Sequence, residues 1–256
     1  MSNKKEREKR RDERLAEEAK ASSGDRRTRL LQIGAGAVFV AIIVVVVVIV
    51  IAGSSSDSGG DAENLQEVSQ VNSLVQGIPQ TKLVLGDTKA PVELIEYGDL
   101  QCPVCKAYSE EILPPIVEKQ VKEGKAKIIF RNFLIIGPES LPAGAAAIAA
   151  GNQGRGWNFL ELFYRNQGKE NGGYVTDDFI EAVAKGAGVK DIAKFNQERT
   201  SKAVEEEANR TTEQAETLGF GGTPSFAIKG PNSNGLELLG TPESSGELEE
   251  EIEKVS

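Results

Sequence analysis

The sequence contains no histidine and only two cysteines, Cys102 and Cys105. Without histidine there is no Ser-His-Asp triad or Cys-His dyad, and a zinc site loses its usual nitrogen ligand. Two cysteines alone do not close a tetrahedral site, so no metal is expected. No G-x-x-x-x-G-K-S/T phosphate loop occurs, and Gly151, Gly154 and Gly156 lack the spacing of the dinucleotide fingerprint. They read as a plain loop. Positive charge is also scarce after residue 53, where 19 Lys/Arg face 32 Asp/Glu, a balance of −13. No basic stripe is present there to neutralise phosphates, which excludes nucleic acid as a partner.

The 256-residue chain is long enough for one sizeable core. Residues 1–29 carry 11 Lys/Arg against 7 Asp/Glu, a balance of +4. They read as a solvated, charged cytoplasmic tail. Residues 30–52 hold no charge and a single amide, Gln32, long enough to span a bilayer core of about 30 Å. Arg26, Arg27 and Arg29 precede this run and Ser54, Ser55, Ser56 and Asp57 follow it, so the basic side stays in the cytoplasm. The competing readings are a cleaved signal peptide ending near Val50-Ile51-Ala52, a twin-arginine export signal at Arg26-Arg27, and a buried core helix. The run exceeds the roughly 7–15 apolar residues of a signal peptide, which favours an uncleaved transmembrane anchor. Ala37 and Ala41 could pair such helices, a pattern too common to carry a dimer. Residues 53–80 begin rich in Gly, Ser and Asp and read as a flexible tether.

Residues 81–256 read as a compact α/β domain. Residues 92–97 form an apolar and aromatic strand, and residues 127–133 a second one. Between them residues 107–122 place Ile112, Leu113, Ile116, Val117 and Val121 at helical spacing, with a kink expected at Pro114-Pro115. That makes a β-α-β unit. A helical insertion is expected over about 138–218, then short strands at 223–228 and 236–239, and an acidic helix over 244–255. Glu247, Glu249, Glu250 and Glu251 read as the exposed face of that helix.

The chemistry-bearing segment is Gly98-Asp99-Leu100-Gln101-Cys102-Pro103-Val104-Cys105, directly after a strand and opening a helix. With Cys102 as N-cap, Pro103 occupies the first helical position, where its fixed φ and missing N–H cost nothing. The Cys102 sulfur then faces free backbone N–H groups and the positive helix end, which stabilise a thiolate. Cys105 lies on the same helical face and can close a disulfide with it. C-x-x-C pairs also serve as zinc half-sites or structural disulfides. Here zinc lacks its other ligands, and so short a loop constrains the unfolded chain only slightly. The placement favours redox exchange through a mixed disulfide.

These residues resemble a known family. Gly77-Ile78-Pro79-Gln80, Leu85-Gly86-Asp87, Ala90-Pro91-Val92 and the segment from Tyr97 through Cys105 are similar to the membrane-anchored DsbA-like proteins of Gram-positive bacteria, and Gly221-Gly222-Thr223-Pro224-Ser225-Phe226 resembles that family's second signature. The resemblance covers about residues 77–256. It implies a thioredoxin-like fold with an inserted helical subdomain and thiol-disulfide oxidoreductase activity on exported proteins with cysteine pairs, without a bound cofactor. It implies further that Pro224 is cis beside the cysteines and that Thr223 offers backbone groups to an extended substrate. Otherwise Pro224 reads as a trans proline in a turn. The best-known DsbA oxidases carry histidine between the cysteines, whereas Pro103 and Val104 stand here, so a less oxidising pair is expected.

Glu96 lies one short loop before the cysteines. In related folds a buried acid near this place assists proton transfer, while a strand glutamate can equally be solvated or salt-bridged. Trp157, Phe159, Phe163 and Tyr164 could line a substrate groove, but the i, i+4 spacing of Phe159 and Phe163 favours helix core. The sequence therefore points to an extracytoplasmic disulfide-exchanging enzyme. With no second cysteine pair for relay, it needs a partner, expected to be a quinone-linked membrane thiol oxidase. The alternatives are a reductase or isomerase fed by a membrane electron carrier, and a tethered non-catalytic binding module.

Overall fold

The computed structural model of the chain describes residues 65–256. The expected tail at 1–29, the anchor at 30–52 and the first part of the tether lie outside the described residues. Among the described residues no helix is long and apolar enough to cross a membrane.

The domain is built on a six-stranded sheet of order β1-β2-β4-β3-β5-β6. Its strands are β1 Gln80–Thr81, β2 Val84–Leu85, β3 Val92–Gly98, β4 Ala126–Asn132, β5 Ser225–Lys229 and β6 Glu237–Leu239. β3 and β4 run parallel, from Val92 opposite Ala126 to Gly98 opposite Asn132. β5 lies antiparallel on the other side of β3, with Glu96 opposite Phe226 and Tyr97 opposite Ser225. Six of the seven residues of β3 are buried, as befits a central strand covered on both faces. Leu94 and its same-face neighbours Ile128, Phe130, Phe226 and Ile228 belong to the main core, while Ile95, Tyr97, Ile129 and Ala227 form a second cluster on the opposite face. This is the period-2 alternation of a strand.

The β3–β4 connection is helical from Pro103 through Val121, made of α2 Pro103–Ala107, a π turn Tyr108–Ile112, α3 Leu113–Ile116 and a second π turn Val117–Val121. Pro114 and Pro115 have no N–H for the usual ladder, and the wide turns on either side of α3 accommodate that loss. Between β4 and β5 lies the insertion: α4 Ser140–Gly151, α5 Gly156–Arg165, α6 Asp177–Gly186, α7 Ile192–Arg199 and α8 Lys202–Thr217. The closing helix α9 is Ser245–Val255, capped by Ser244, and buries Leu248, Ile252 and Val255.

One sequence expectation needs correction. Residues 65–80 are not tether: α1 Val68–Val75 buries Val71 and Val75, and Ile78 joins the same core. Asn166, at the end of α5, accepts from the Gln66 N–H at 2.7 Å and donates to the Gln66 carbonyl at 3.2 Å. The Gly/Ser-rich composition is confined to the start of the tether, and an i, i+4 valine stripe takes over. The compact domain thus begins well before residue 81. The favoured reading of the aromatics as core holds: Trp157, Phe159, Phe163 and Tyr164 are each at most 2% exposed, and the Trp157 indole donates to the Leu83 carbonyl. These rings fill the core.

Candidate active site

The segment 98–105 leaves β3 and enters α2. Cys102 is the N-cap, with φ −75° and ψ 119°, and Pro103 is the first helical residue. The Cys105 N–H donates to Cys102 Sγ at 3.3 Å, and Cys102 Sγ donates to the Thr223 carbonyl at 3.3 Å. Both cysteines are thiols here and both are buried, Cys102 at 2% exposed. The Thr223–Pro224 peptide bond is cis. The structure thus brings Cys102, Pro103, Val104 and Cys105 together with Thr223 and Pro224, Thr223 lying 121 residues after Cys102.

The two sulfurs are electrostatically unequal. A hydrogen bond from the Cys105 thiol lowers the Cys102 value most; burial opposes it, and contacts with Thr223 and the Cys105 and Val104 backbone add to the lowering, from 9.0 to about 7. Burial pushes Cys105 well above its ordinary value, and the hydrogen bond to Cys102 pushes it further. Cys102 is therefore the sulfur that carries charge near neutrality. Alkylation of the reduced pair by iodoacetamide is expected at Cys102 alone, climbing about tenfold per pH unit below a midpoint near pH 7. Peptide mapping across pH 5–10 checks this; a midpoint near 9.0, or labelling of Cys105 first, contradicts it.

Glu96 is 1% exposed in β3, between Phe130 and Phe226, and its Oε1 has no hydrogen-bond partner among the described residues. It is thus neither solvated nor salt-bridged. Burial, then the charges of Glu161 and Cys102, raise its value from 4.5 to about 8. Because the folded state holds this proton up to about pH 8 and the unfolded chain releases it near 4.5, stability falls as pH rises between those values. Glu96→Gln is therefore expected to gain on the wild type by an amount growing to a few kcal/mol, on the order of the pKa displacement, by pH 8–9. Denaturant unfolding at a series of pH values measures that gap, and equal curves at pH 5 and pH 9 contradict it.

Several residues that the sequence did not single out hold the cysteine loop. The buried Asp99 carboxylate accepts from the Gln101 N–H at 2.9 Å and from the Ile135 and Ile136 N–H groups, each at 3.0 Å. It joins the cysteine loop to the loop after β4. Gln101 receives the Asn171 N–H at 2.8 Å and donates to Ser140 Oγ at 3.1 Å. Gln167 donates to the Leu100 carbonyl at 2.7 Å and the Cys102 carbonyl at 3.2 Å. The Tyr164 hydroxyl donates to the Asp99 carbonyl at 3.3 Å. Residue 98 is glycine at this contact: a Cβ there would stand 3.2 Å from the Tyr164 hydroxyl and 2.7 Å from the Phe130 ring. The insertion thereby grips the loop that presents Cys102. Only the Asp99 to Gln101 bond had a local signal, the spacing of an Asx turn.

Among the described residues no group of three or more His, Cys, Asp or Glu is placed to hold a metal. The arrangement can exchange disulfides: one sulfur is stabilised as thiolate, its neighbour is held back as thiol, and a carbonyl edge lies beside them.

Comparison with known proteins agrees with this chemistry. The family model described as Thioredoxin matches residues 79–251. The chain is 31% identical over 157 residues to the probable disulfide bond formation protein D of Bacillus cereus, covering 60% of this chain and 73% of that protein. It superposes on oxidised BdbD from Bacillus subtilis with a TM-score of 0.60 at 22% identity, covering 70% of this chain and 95% of that one. For alpha-DsbA1 of Wolbachia pipientis the TM-score is 0.57 at 24% identity, covering 72% and 95%. Matched over most of its length by the family and by a named disulfide-forming relative, the chain belongs to the thioredoxin-like family, as a DsbA-like thiol-disulfide oxidoreductase.

Proposed function

We propose that the protein exchanges disulfides with cysteine-containing exported proteins on the outer face of the cell membrane, through the Cys102-Pro103-Val104-Cys105 pair. The observation that carries this reading is the Cys102 sulfur at the helix N-cap, between the Cys105 N–H and the Thr223 carbonyl. In the oxidised pair a substrate thiolate attacks Cys102 Sγ. The Cys102–Cys105 bond breaks, its electrons stay on Cys105, and Glu96 supplies the proton. A second substrate thiolate then attacks the substrate sulfur of the mixed disulfide, and Cys102 leaves as thiolate. The substrate gains a disulfide and the pair gains two electrons. Thr223, ahead of Pro224, offers its backbone to an extended substrate segment once the dithiol contact opens. Residues 30–52 anchor the domain with residues 1–29 in the cytoplasm, and a quinone-linked membrane thiol oxidase removes the electrons.

A Cys102 value near 7 resembles that of thioredoxin, about 7, more than that of DsbA, about 3.5, so the thiolate stabilises the reduced form less. Pro103 and Val104 add no cation between the cysteines, in keeping with this. The full-length chain equilibrated with glutathione buffers is therefore expected to show a reversible two-electron potential clearly below the roughly −120 mV of DsbA. A value at or beyond about −270 mV, as in thioredoxin, reverses the reading to a reductase fed by a membrane electron carrier. A pair that does not titrate reversibly overturns the exchange function in favour of a tethered binding module.

A further inference from the structure

A cleft of about 890 Å³ lies between α1, the start of α5 and the loop joining α6 to α7. None of its lining residues belongs to the cysteine loop or to Thr223-Pro224. The lining holds two cations, Arg155 and Lys190, and no Asp or Glu. The domain around it is acidic, with 32 Asp/Glu against 19 Lys/Arg after residue 53, so a cleft lined by cations alone runs against the local balance.

The loops that carry the two cations are clamped together. Gln153 donates to the Asp191 carbonyl at 2.8 Å and receives the Asp191 N–H at 3.0 Å. The Arg155 guanidinium lies along Gly188, two residues before Lys190: a Cβ there would stand 3.6 Å from Nε and 3.7 Å from Cζ. The one carboxylate of that loop, Asp191, accepts the Lys194 N–H at 2.9 Å as the cap of α7. Among the described residues neither Arg155 nor Lys190 forms an ion pair. Like charges fixed on one pair of loops repel, and a bound anion offsets that cost.

A file of amides adds an oriented donor. The Trp157 N–H donates to Gln80 Oε1 at 3.1 Å, Gln80 Nε2 to Asn158 Oδ1 at 2.8 Å, and Asn158 Nδ2 to Asn72 Oδ1 at 2.9 Å. A backbone N–H can only donate, so it fixes the polarity of the whole file. Asn72 is left with its Nδ2 donor for the cleft that it lines. Asn158, in the middle of the file, is buried. α5 starts at Gly156, between Arg155 and Asn158, and its positive end adds to the same field.

We propose that this cleft binds a soluble phosphate ester with a hydroxyl-rich remainder, such as a phosphorylated sugar or polyol. Arg155, Lys190 and the Asn72 amide come from three different segments, which suits a tetrahedral phosphate better than a planar carboxylate. A bare phosphate fills only part of the space. The rest of the lining is mostly hydroxyl and amide, from Ser69, Ser73 and Gln76 among others, with Val75 and Ile78 its only aliphatic side chains. Such a surface hydrogen-bonds hydroxyl groups and has little to offer an acyl chain.

The test is a calorimetric titration of the full-length chain, carried in phosphatidylcholine discs, with glycerol phosphate, with glycerate as its carboxylate counterpart and with sodium chloride at matched ionic strength. Glycerol phosphate is expected to bind saturably. Arg155→Gln and Lys190→Gln should each weaken it by about tenfold, the worth of one charge-assisted contact. Lys202→Gln, which removes an exposed charge outside the cleft, should leave it unchanged. Lys190 is exposed, so its variant keeps the test decisive should Arg155→Gln not fold. Absence of saturable binding overturns the proposal, and so does equal weakening by Lys202→Gln. Glycerate binding as tightly overturns the choice of phosphate. Loss of the response in phosphatidylglycerol discs overturns the soluble ester in favour of a lipid headgroup.

Discussion

Replacing Cys102 by alanine is expected to reduce the oxidation of a reduced, unfolded test protein to the uncatalysed rate. No other side chain in the chain can take over. The only other sulfhydryl, Cys105, is fully buried and held as a thiol, and exchange proceeds through a thiolate. The fold should survive, because alanine at this position forfeits chiefly an N-cap contact, worth about 1 kcal/mol. Circular dichroism distinguishes inactivity from unfolding. Cys105→Ala should behave differently: Cys102 keeps its helix-end position and captures a single substrate sulfur as a mixed disulfide from glutathione-activated mixtures. A folded Cys102→Ala chain that still oxidised the test protein would refute the assignment of Cys102.

Asp99→Ala should produce the largest loss of stability among substitutions near the site. The Asp99 carboxylate is fully buried and accepts three backbone N–H groups, from Gln101, Ile135 and Ile136. Each donor left without a partner in the interior costs about 1–3 kcal/mol, so a total of about 3–9 kcal/mol is expected for the three, large against the stability of a domain. Asp99→Asn keeps one carbonyl oxygen and should lose roughly half as much. The consequence is chemical as well. Asp99 ties the loop that presents Cys102 to the loop after β4, so a folded Asp99→Asn chain should show a broader and higher Cys102 titration. Urea unfolding with alkylation kinetics on the same samples measures both. A loss of under about 1 kcal/mol in Asp99→Ala would mean that those N–H groups find water instead.

Much of this architecture is written in local pattern. The apolar and aromatic runs of residues 92–97 and 127–133 announce β3 and β4, and the acidic segment 244–255, with Leu248, Ile252 and Val255 on one face, announces α9. Cys102-Pro103-Val104-Cys105 after a strand locates the redox pair, because the N-cap position and proline at the first helical turn are short-range requirements. The hairpin of β1 and β2 was not legible: two residues per strand carry no period, and their pairing comes from Val84 opposite Ile129 and Leu85 opposite Ile128. The docking of α1 was missed because glycine and serine at the start of the tether masked the valine stripe that follows.

Residue type and spacing, then, were enough to name the sulfur chemistry and the β-α-β unit that carries it, since capping, periodicity and turn preference act over a few residues, while the thioredoxin-like fold as a whole came from the resemblance to a family. They could not say whether Glu96 is solvated or sealed between Phe130 and Phe226, or that Gln167 and Asn171 grip the cysteine loop from 65 to 70 residues away. Those facts depend on which surfaces the folded chain brings together. Desolvation and hydrogen bonding depend steeply on distance, and distance between remote segments exists only once the chain has packed.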